Sequence, residues 1–571
     1  MNLFDLQKEF FIISSDNLNS INTKLYGYVI QNDGIIENDS INSLKIPLAG
    51  TGAYVYIENT GNDINIYQDF NGSYGVFLFK QGNYFAISNS FMYLVDYVKH
   101  KFNLRFNYDF ANYMVPLDLC SEAYSDTLIK QIIRLDKDVV VKINVKKKQI
   151  DTQYIKYPIR THTINSQEGI DILDKWFEKW SRLFRVVQSK TDNITICLSG
   201  GFDSRVTFCL ALMSGMNLNK VRISSAQDDV HKEDFEIASQ IADYFHFDLN
   251  KWQPVQKTLN FSFQDIMRMA VYNRLPFHKE MHFNFFKNIY KFYLVGGDGG
   301  ENLRKHWDVP VQDIINGYLK KTAVVNNSEI KKSVLKISND TVRKIKSKYN
   351  IKDISSPFIS NLLYMNTRSS YHFGSGVITE FFKNLYTLTP LLDPEILKLK
   401  TNDTGCSDNN LLIATIFTRY CPKLLDFKIQ GNRFIEKNTI KFAEEINNKY
   451  PVDMDCLLSK KHDSEYVINT TDNQLLDVAD SNSRIENGYP DKFLKSVFDF
   501  EFFEQFIKNH FNDERYEYAK KQSEILKYYP FREIYPLIAD AMVLRIIETN
   551  RHSWIISLKK YLSKILRFKN N

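Results

Sequence analysis

From Gly52 to Lys147 apolar and polar residues alternate in short runs, AYVYIE, DINIYQ, YGVFLFK, YFAIS and VVVKINV, broken by Asn-Thr-Gly, Asn-Gly-Ser and Gln-Gly-Asn. A period of two between turn residues predicts an antiparallel β domain. Around Gln153 to Gln167 the pattern dissolves into YIKYPIRTHTINSQ, which holds one Pro and no apolar period, and a linker is expected there. The resulting division is 1–158 and 165–571. Beyond it, Ile170, Leu173, Trp176, Phe177, Trp180, Leu183 and Phe184 return every three or four positions, the spacing of a buried helix face. A buried-strand run, Ile194 to Leu198, then enters a Gly-rich turn. The strand VRISS precedes a helical period at Phe235, Ala238, Ile241, Ala242 and Phe245, and a third run, FYLVGG, ends in a second Gly-rich turn. Strands alternating with helices predict a parallel sheet whose ligands bind beyond the strand carboxyl ends, so the fold class is α/β. From Glu329 onward the pattern is mostly helical.

Length supports this division, because 571 residues exceed what one core usually organises. With 44% hydrophobic and 25% charged residues the usage is globular rather than disordered. The net charge of +6 resides in Arg551 to Asn571, which holds six Lys or Arg and no acid, so the rest of the chain is electroneutral. Nucleic-acid binding, which needs a net basic face, is thereby disfavoured. The six cysteines (Cys120, Cys197, Cys209, Cys406, Cys421, Cys456) form no C-x-x-C pair, so neither a zinc ribbon nor a disulfide framework is indicated. The opening MNLFDLQKEF has two acids and no apolar core, and no apolar stretch is long enough to span a membrane, so a cytoplasmic location is expected.

The candidate chemistry lies in Ser199-Gly200-Gly201-Phe202-Asp203-Ser204-Arg205, directly after a predicted strand. Such a turn exposes backbone amides, and the following helix directs its positive end at the same point, which suits a polyphosphate. The Ser199 and Ser204 hydroxyls add hydrogen bonds, and Asp203 suits magnesium. The ending Gly-Lys-Ser/Thr of a Walker A loop is missing. A second turn, Gly296-Gly297-Asp298-Gly299-Gly300-Glu301-Asn302, follows another predicted strand and combines glycines with two carboxylates.

The first loop resembles the SGGxDS loop of the ATP pyrophosphatases, and the second resembles the GEGSDE or GDGGDE turn of the asparagine synthetase and β-lactam synthetase branch. The resemblance implies an ATP-pyrophosphatase (adenine nucleotide α-hydrolase-like) domain. ATP would be held by Ser199, Gly200, Gly201, Asp203, Ser204, Arg205, Gly297 and Asp298, with Mg2+ on Asp203 and Glu301. Here Glu301 stands where the family has Asp, and Asn302 where it has Glu. Asp69-Phe-Asn-Gly72-Ser-Tyr-Gly75, Tyr84 to Ser90 and Thr127 to Leu135 are similar to the family's Ntn-type glutaminase domain. The Cys nucleophile that begins the mature active domain is missing, since the chain starts Met1-Asn2-Leu3, so no glutaminase activity is expected. Thr389-Pro390-Leu391-Leu392-Asp393 resembles the PFLD segment. Lys428 matches the catalytic Lys with an offset of one residue, and its role would be to stabilise charge developing in the transition state.

Taken together, the resemblance implies an AMP-forming amide ligase that joins a small-molecule carboxylate to an amine. The acceptor is expected to be a sugar acid of bacterial surface polysaccharide. The alternatives are ammonia-dependent asparagine synthesis, macrolactam closure as in lasso-peptide cyclases, or a non-catalytic homologue. Arg205 could instead pair with a carboxylate such as Asp234. His278 and His282 flank Glu280 in HKEMH, which is not the H-E-x-x-H order of a zinc protease. Lys331 to Lys348 is read as a solvated helix face. The tail from Trp554 repeats apolar residues opposite bases; it is read as a helix docked on the body, with peripheral membrane contact as the alternative.

Overall fold

The computed structural model describes residues 5–31, 34–37, 50–114, 123–155, 159–251, 258–260, 269–277, 286–288, 290–303, 309–323, 328–352, 358–400, 406, 408, 410–431 and 433–459. Met1, Asn2, Cys120, the HKEMH segment and the basic tail lie outside them. The fold is mixed α/β, with antiparallel sheets in the first part and a parallel sheet with helices in the second.

Ten strands form the first part: β1 (Ile13–Ser14), β2 (Lys24–Gln31), β3 (Gly34–Ile36), β4 (Thr51–Asn59), β5 (Asp63–Gln68), β6 (Val76–Gln81), β7 (Tyr84–Ser88), β8 (Ile132–Leu135), β9 (Val139–Asn144) and β10 (Gln149–Tyr154). They make a six-stranded sheet in the order β10-β9-β5-β4-β2-β3 and a four-stranded sheet in the order β1-β7-β6-β8, all pairs antiparallel. Tyr28, Val55, Ile57 and Ile66 of the first sheet and Val76, Phe79 and Ile87 of the second join one buried core. Helix α1 (Phe91–Val98) is capped by the Ser90 hydroxyl.

The expected linker is more structured than its polar sequence suggests. Its residues β11 (His162–Thr163) pair in parallel with β18 (Leu399–Lys400). Arg160 and Thr161 donate their amides to Leu397 and Lys398, and Ile164 is fully buried. Backbone pairing to a distant partner leaves no period in the local sequence, which is why the stitch was missed.

Helix α2 (Gln167–Lys190) follows, capped by the Ser166 hydroxyl on the Gly169 amide at 3.0 Å, and every apolar position expected to be buried in it is buried. Next come β12 (Ile194–Cys197), α3 (Phe202–Met213), β13 (Arg222–Ser224) and α4 (Lys232–Phe245). After these, β14 (Thr258–Asn260) and β15 (Phe286–Asn288) form a small antiparallel pair, and β16 (Phe292–Val295) and β17 (Leu385–Leu388) complete a parallel sheet in the order β13-β12-β16-β17. Among the described residues, α5 (Val311–Ala323), α6 (Ser328–Tyr349), α7 (Phe358–Asn366), α8 (Ser375–Phe381), α9 (Leu411–Tyr420) and α10 (Lys437–Lys449) supply the expected helices. The basic run on α6 does form a helix with one buried face, through Val334, Ile337 and Ile345. No helix of the described residues is long and apolar enough to cross a membrane.

The two parts meet through saturated polar contacts. Asp393 is fully buried and its Oδ2 accepts from Lys179 Nζ at 2.6 Å, Trp180 Nε1 at 2.9 Å and Thr51 Oγ1 at 3.2 Å. Trp176 Nε1 donates to the Pro390 carbonyl, and the Tyr28 hydroxyl donates to the Thr387 carbonyl at 2.6 Å. The Thr389–Asp393 segment is therefore a joint between the parts, and it braces the end of β17.

Candidate functional site

The topology itself singles out one crevice. From β12 the chain turns to β13 on one side, whereas from β16 it proceeds to β17 on the other. The carboxyl ends of the adjacent strands β12 and β16 thus flank a topological switch point, where open α/β sheets bind ligands. Ser199–Ser204 leaves β12 there, and Gly296–Glu301 leaves β16 beside it.

Glycines let these two turns touch. A methyl group at Gly300 would lie 2.0 Å from the Asp203 Cγ, and one at Gly297 would lie 2.6 Å from the Ser204 amide nitrogen. Gly299, at φ +90°, turns the chain where any side chain would strike Leu392. The second turn consequently covers the start of α3, which begins after Gly201 without a side-chain cap. An uncapped helix start carries partial positive charge from its first amides.

Most polar groups of the first loop already have partners within the protein. Ser199 and Ser204 bond to each other through their hydroxyls at 2.9 Å, and the Ser199 amide donates to Ser204 Oγ at 3.0 Å. The Gly201 amide donates to Ser199 Oγ at 3.2 Å, and the Gly200 amide donates to Asp234 Oδ1 at 3.0 Å. A phosphate that used the Gly200 amide would have to displace Asp234.

Electrostatically, the second turn is an acid pair. Burial, reinforced by the Glu301 carboxylate, raises the Asp298 pKa to about 6. Burial and the Asp298 charge push the Cys197 thiol up to about 11, so it is inert at neutral pH. Asn302 is buried, its Oδ1 has no partner among the described residues, and a carboxylate at that position would cost more to bury than the amide.

Among the described residues no group of three or more His, Cys, Asp or Glu converges to hold a metal. Asp203 instead faces Gly300, the neighbour of Glu301. Magnesium, which usually takes one or two carboxylates and completes its octahedron with water and substrate phosphates, needs no larger cluster.

Arg205, read as a phosphate ligand or a partner of Asp234, has a side chain that is 1% exposed. It donates instead to four main-chain carbonyls: Gly200 at 3.3 Å, Leu424 at 3.3 Å, Phe427 at 2.9 Å and Lys428 at 2.8 Å. A guanidinium buried by the packing of α3 must find acceptors, and here carbonyls supply them. The same bonds bring the Lys428 backbone to the first loop. Lys428 is half-buried, in the turn that follows the helical segment Pro422–Asp426.

Sequence reasoning missed the part played by α4. Its first turn offers two successive acids, Glu233 to the Gly431 amide at 2.8 Å and Asp234 to the Gly200 amide. Acids at a helix start were the available signal. Ser225, just past β13 on the same rim, is also buried, and its hydroxyl has no partner among the described residues.

In the first part, Asp69 is fully buried and accepts from the amides of Tyr54, Asn71 and Ser73 and from the Ser73 hydroxyl. Its Gly72 turn also abuts the second part, since Arg134 donates to both the Gly72 carbonyl and the Ser370 hydroxyl at 2.7 Å.

No family model and no curated protein matches this chain.

Proposed function

We propose that this chain is an AMP-forming amide ligase of the asparagine synthetase and β-lactam synthetase type, with an N-terminal glutaminase-like domain. The observation that carries the reading is the meeting of Ser199–Ser204 with Gly297–Glu301 at the switch point of the parallel sheet, with Gly300 directly against Asp203.

In this reading a substrate carboxylate oxygen attacks the α-phosphorus of ATP and the bond to pyrophosphate breaks. An amine nitrogen then attacks the acyl carbon of the adenylate, loses a proton, and expels AMP. A carboxylate is a poor electrophile towards an amine, and the phosphate ester supplies the leaving group. The start of α3 and the Ser199 and Ser204 hydroxyls would bind the phosphates, the hydroxyls by rotating out of their mutual hydrogen bond. Asp203 and Glu301 would hold magnesium, which when bound neutralises charge on the departing pyrophosphate. Lys428 would stabilise the same developing charge. The acceptor we infer is a sugar carboxylate, such as a uronic acid, joined to a small amine. The Gly200–Asp234 bond favours a second reading, a binding protein without catalysis, because it occupies an amide the phosphates would use.

The deciding experiment is carboxylate-dependent exchange of labelled pyrophosphate into ATP over a panel of amino acids and sugar acids. Exchange with uronic acids is the expected result. Efficient asparagine formation from aspartate and ammonia would remove the sugar assignment and leave adenylation standing, whereas exchange with no carboxylate would favour the binding-only reading. Glutamine should release no glutamate.

A further inference from the structure

Four hydrogen bonds from two side chains converge on the segment that carries Lys428. Arg205 bonds to the carbonyls of Leu424, Phe427 and Lys428 and, from the same guanidinium, to the Gly200 carbonyl. Glu233 accepts from the Gly431 amide at 2.8 Å. Beyond Lys428 the chain folds back on itself, with Ile429 and Arg433 exchanging both backbone bonds around Gly431 at φ +79°. The next residue of α4, Asp234, holds the Gly200 amide, so the loop, the helix start and the 424–433 segment form a closed triangle.

The chemistry of Arg205 is unusual for a merely structural group. A buried cation normally pairs with an acid, yet burial alone lowers its pKa, to about 10, and among the described residues its acceptors are main-chain carbonyls. It therefore remains charged at neutral pH. A rigid fork with five donors can fix several carbonyls of one turn at once, which a lysine or an apolar side chain cannot do.

We propose that Arg205 and Glu233 are positioning residues that clamp the 424–433 segment onto the Ser199–Ser204 loop and thereby set where Lys428 stands. What Lys428 does there rests on the adenylation reading; the clamp does not.

The test has two arms on the full-length chain. In hydrogen exchange read by mass spectrometry, Arg205→Met and Glu233→Ala should each speed exchange across 424–433 by about tenfold or more while β12 and β16 keep their protection. Unchanged protection in both variants would overturn the clamp. Should Arg205→Met fail to fold, Glu233→Ala, a change on an open helix turn, decides the same point.

In pyrophosphate exchange, Arg205→Met and Lys428→Met should each lower kcat about 10- to 100-fold with KM for ATP nearly unchanged, and the double variant should be no worse than Lys428→Met alone. Additive losses would show that Arg205 acts independently of Lys428 and would overturn the positioning role. If the unaltered protein supports no exchange, the adenylation reading fails, and hydrogen exchange still decides the clamp.

Discussion

Asp69 and Asp203 both sit in turns of Gly, Ser and Phe that begin beside a strand, yet they occupy different kinds of surroundings. All the hydrogen bonding of Asp69 is satisfied by Tyr54, Asn71 and Ser73 in a fully buried niche. Asp203 lies half-buried at the start of α3, at the mouth of a crevice, against a glycine that leaves room for its carboxylate. One acid organises its own turn, and the other stands where the second glycine turn closes on the first. Similar composition therefore says little about role. What separates the two is where the fold places them, in a sealed niche or at a half-buried helix start.

The sharpest break in this comparison is Asp203→Asn. On the adenylation proposal it should reduce pyrophosphate exchange at least about a hundredfold, because a metal-binding charge would be lost, while the melting temperature changes by only a few degrees, because Asp203 is half-buried and outside the apolar core. Full activity would place the site elsewhere. Gly300→Ala comes next. Its methyl would have to push Asp203 or the second turn aside, and displacements near 1 Å cost on the order of a hundredfold in rate. Nearly normal exchange in that variant would mean that the two turns need not touch.

Asp69→Ala should act in the reverse sense. It strands three buried amides, each costing about 1–3 kcal/mol, and should lower the melting temperature by several degrees with little change in the activity of the molecules that remain folded. The smallest effect is the pH dependence of that loss. Burial raises the Asp69 pKa to about 6 from 3.8 despite its hydrogen bonds, so the folded chain binds this proton more tightly than the unfolded one. Its contribution is then largest at low pH and declines as pH rises from about 4 to about 6, so the stability gap between wild type and Asp69→Ala should widen on acidification across that window. A gap that narrowed instead would show that the carboxylate is ionised well below 6 in the folded state.

These two surroundings were legible in the sequence to different degrees. The alternation in β4 to β7, the helical period of α2 and the buried runs of β12 and β16 could be read directly, because each element shows a face in its own residues. Strand β2 could not: it is buried on both faces, so alternation vanishes, and Gly27 at φ +88° interrupts the propensity. Strand β17 is a four-residue run inside a helical context, too short to declare itself. At the site, the two glycine turns were visible, since only glycine permits such contact. The roles of Arg205, Glu233 and Asp234 were not, because their partners lie up to 223 residues away and nothing in the local sequence marks them.

The stitch between β11 and β18 also bears on how the chain comes off the ribosome. His162 and Thr163 are made early, but their partners Leu399 and Lys400 emerge only after the whole parallel sheet has been synthesised. At roughly 5–20 residues per second this leaves an interval on the order of ten seconds or more in which the antiparallel part can fold while its junction waits, unpaired, for the later strand. The joint between the two parts is thus closed late, after the strands that flank the crevice have been made.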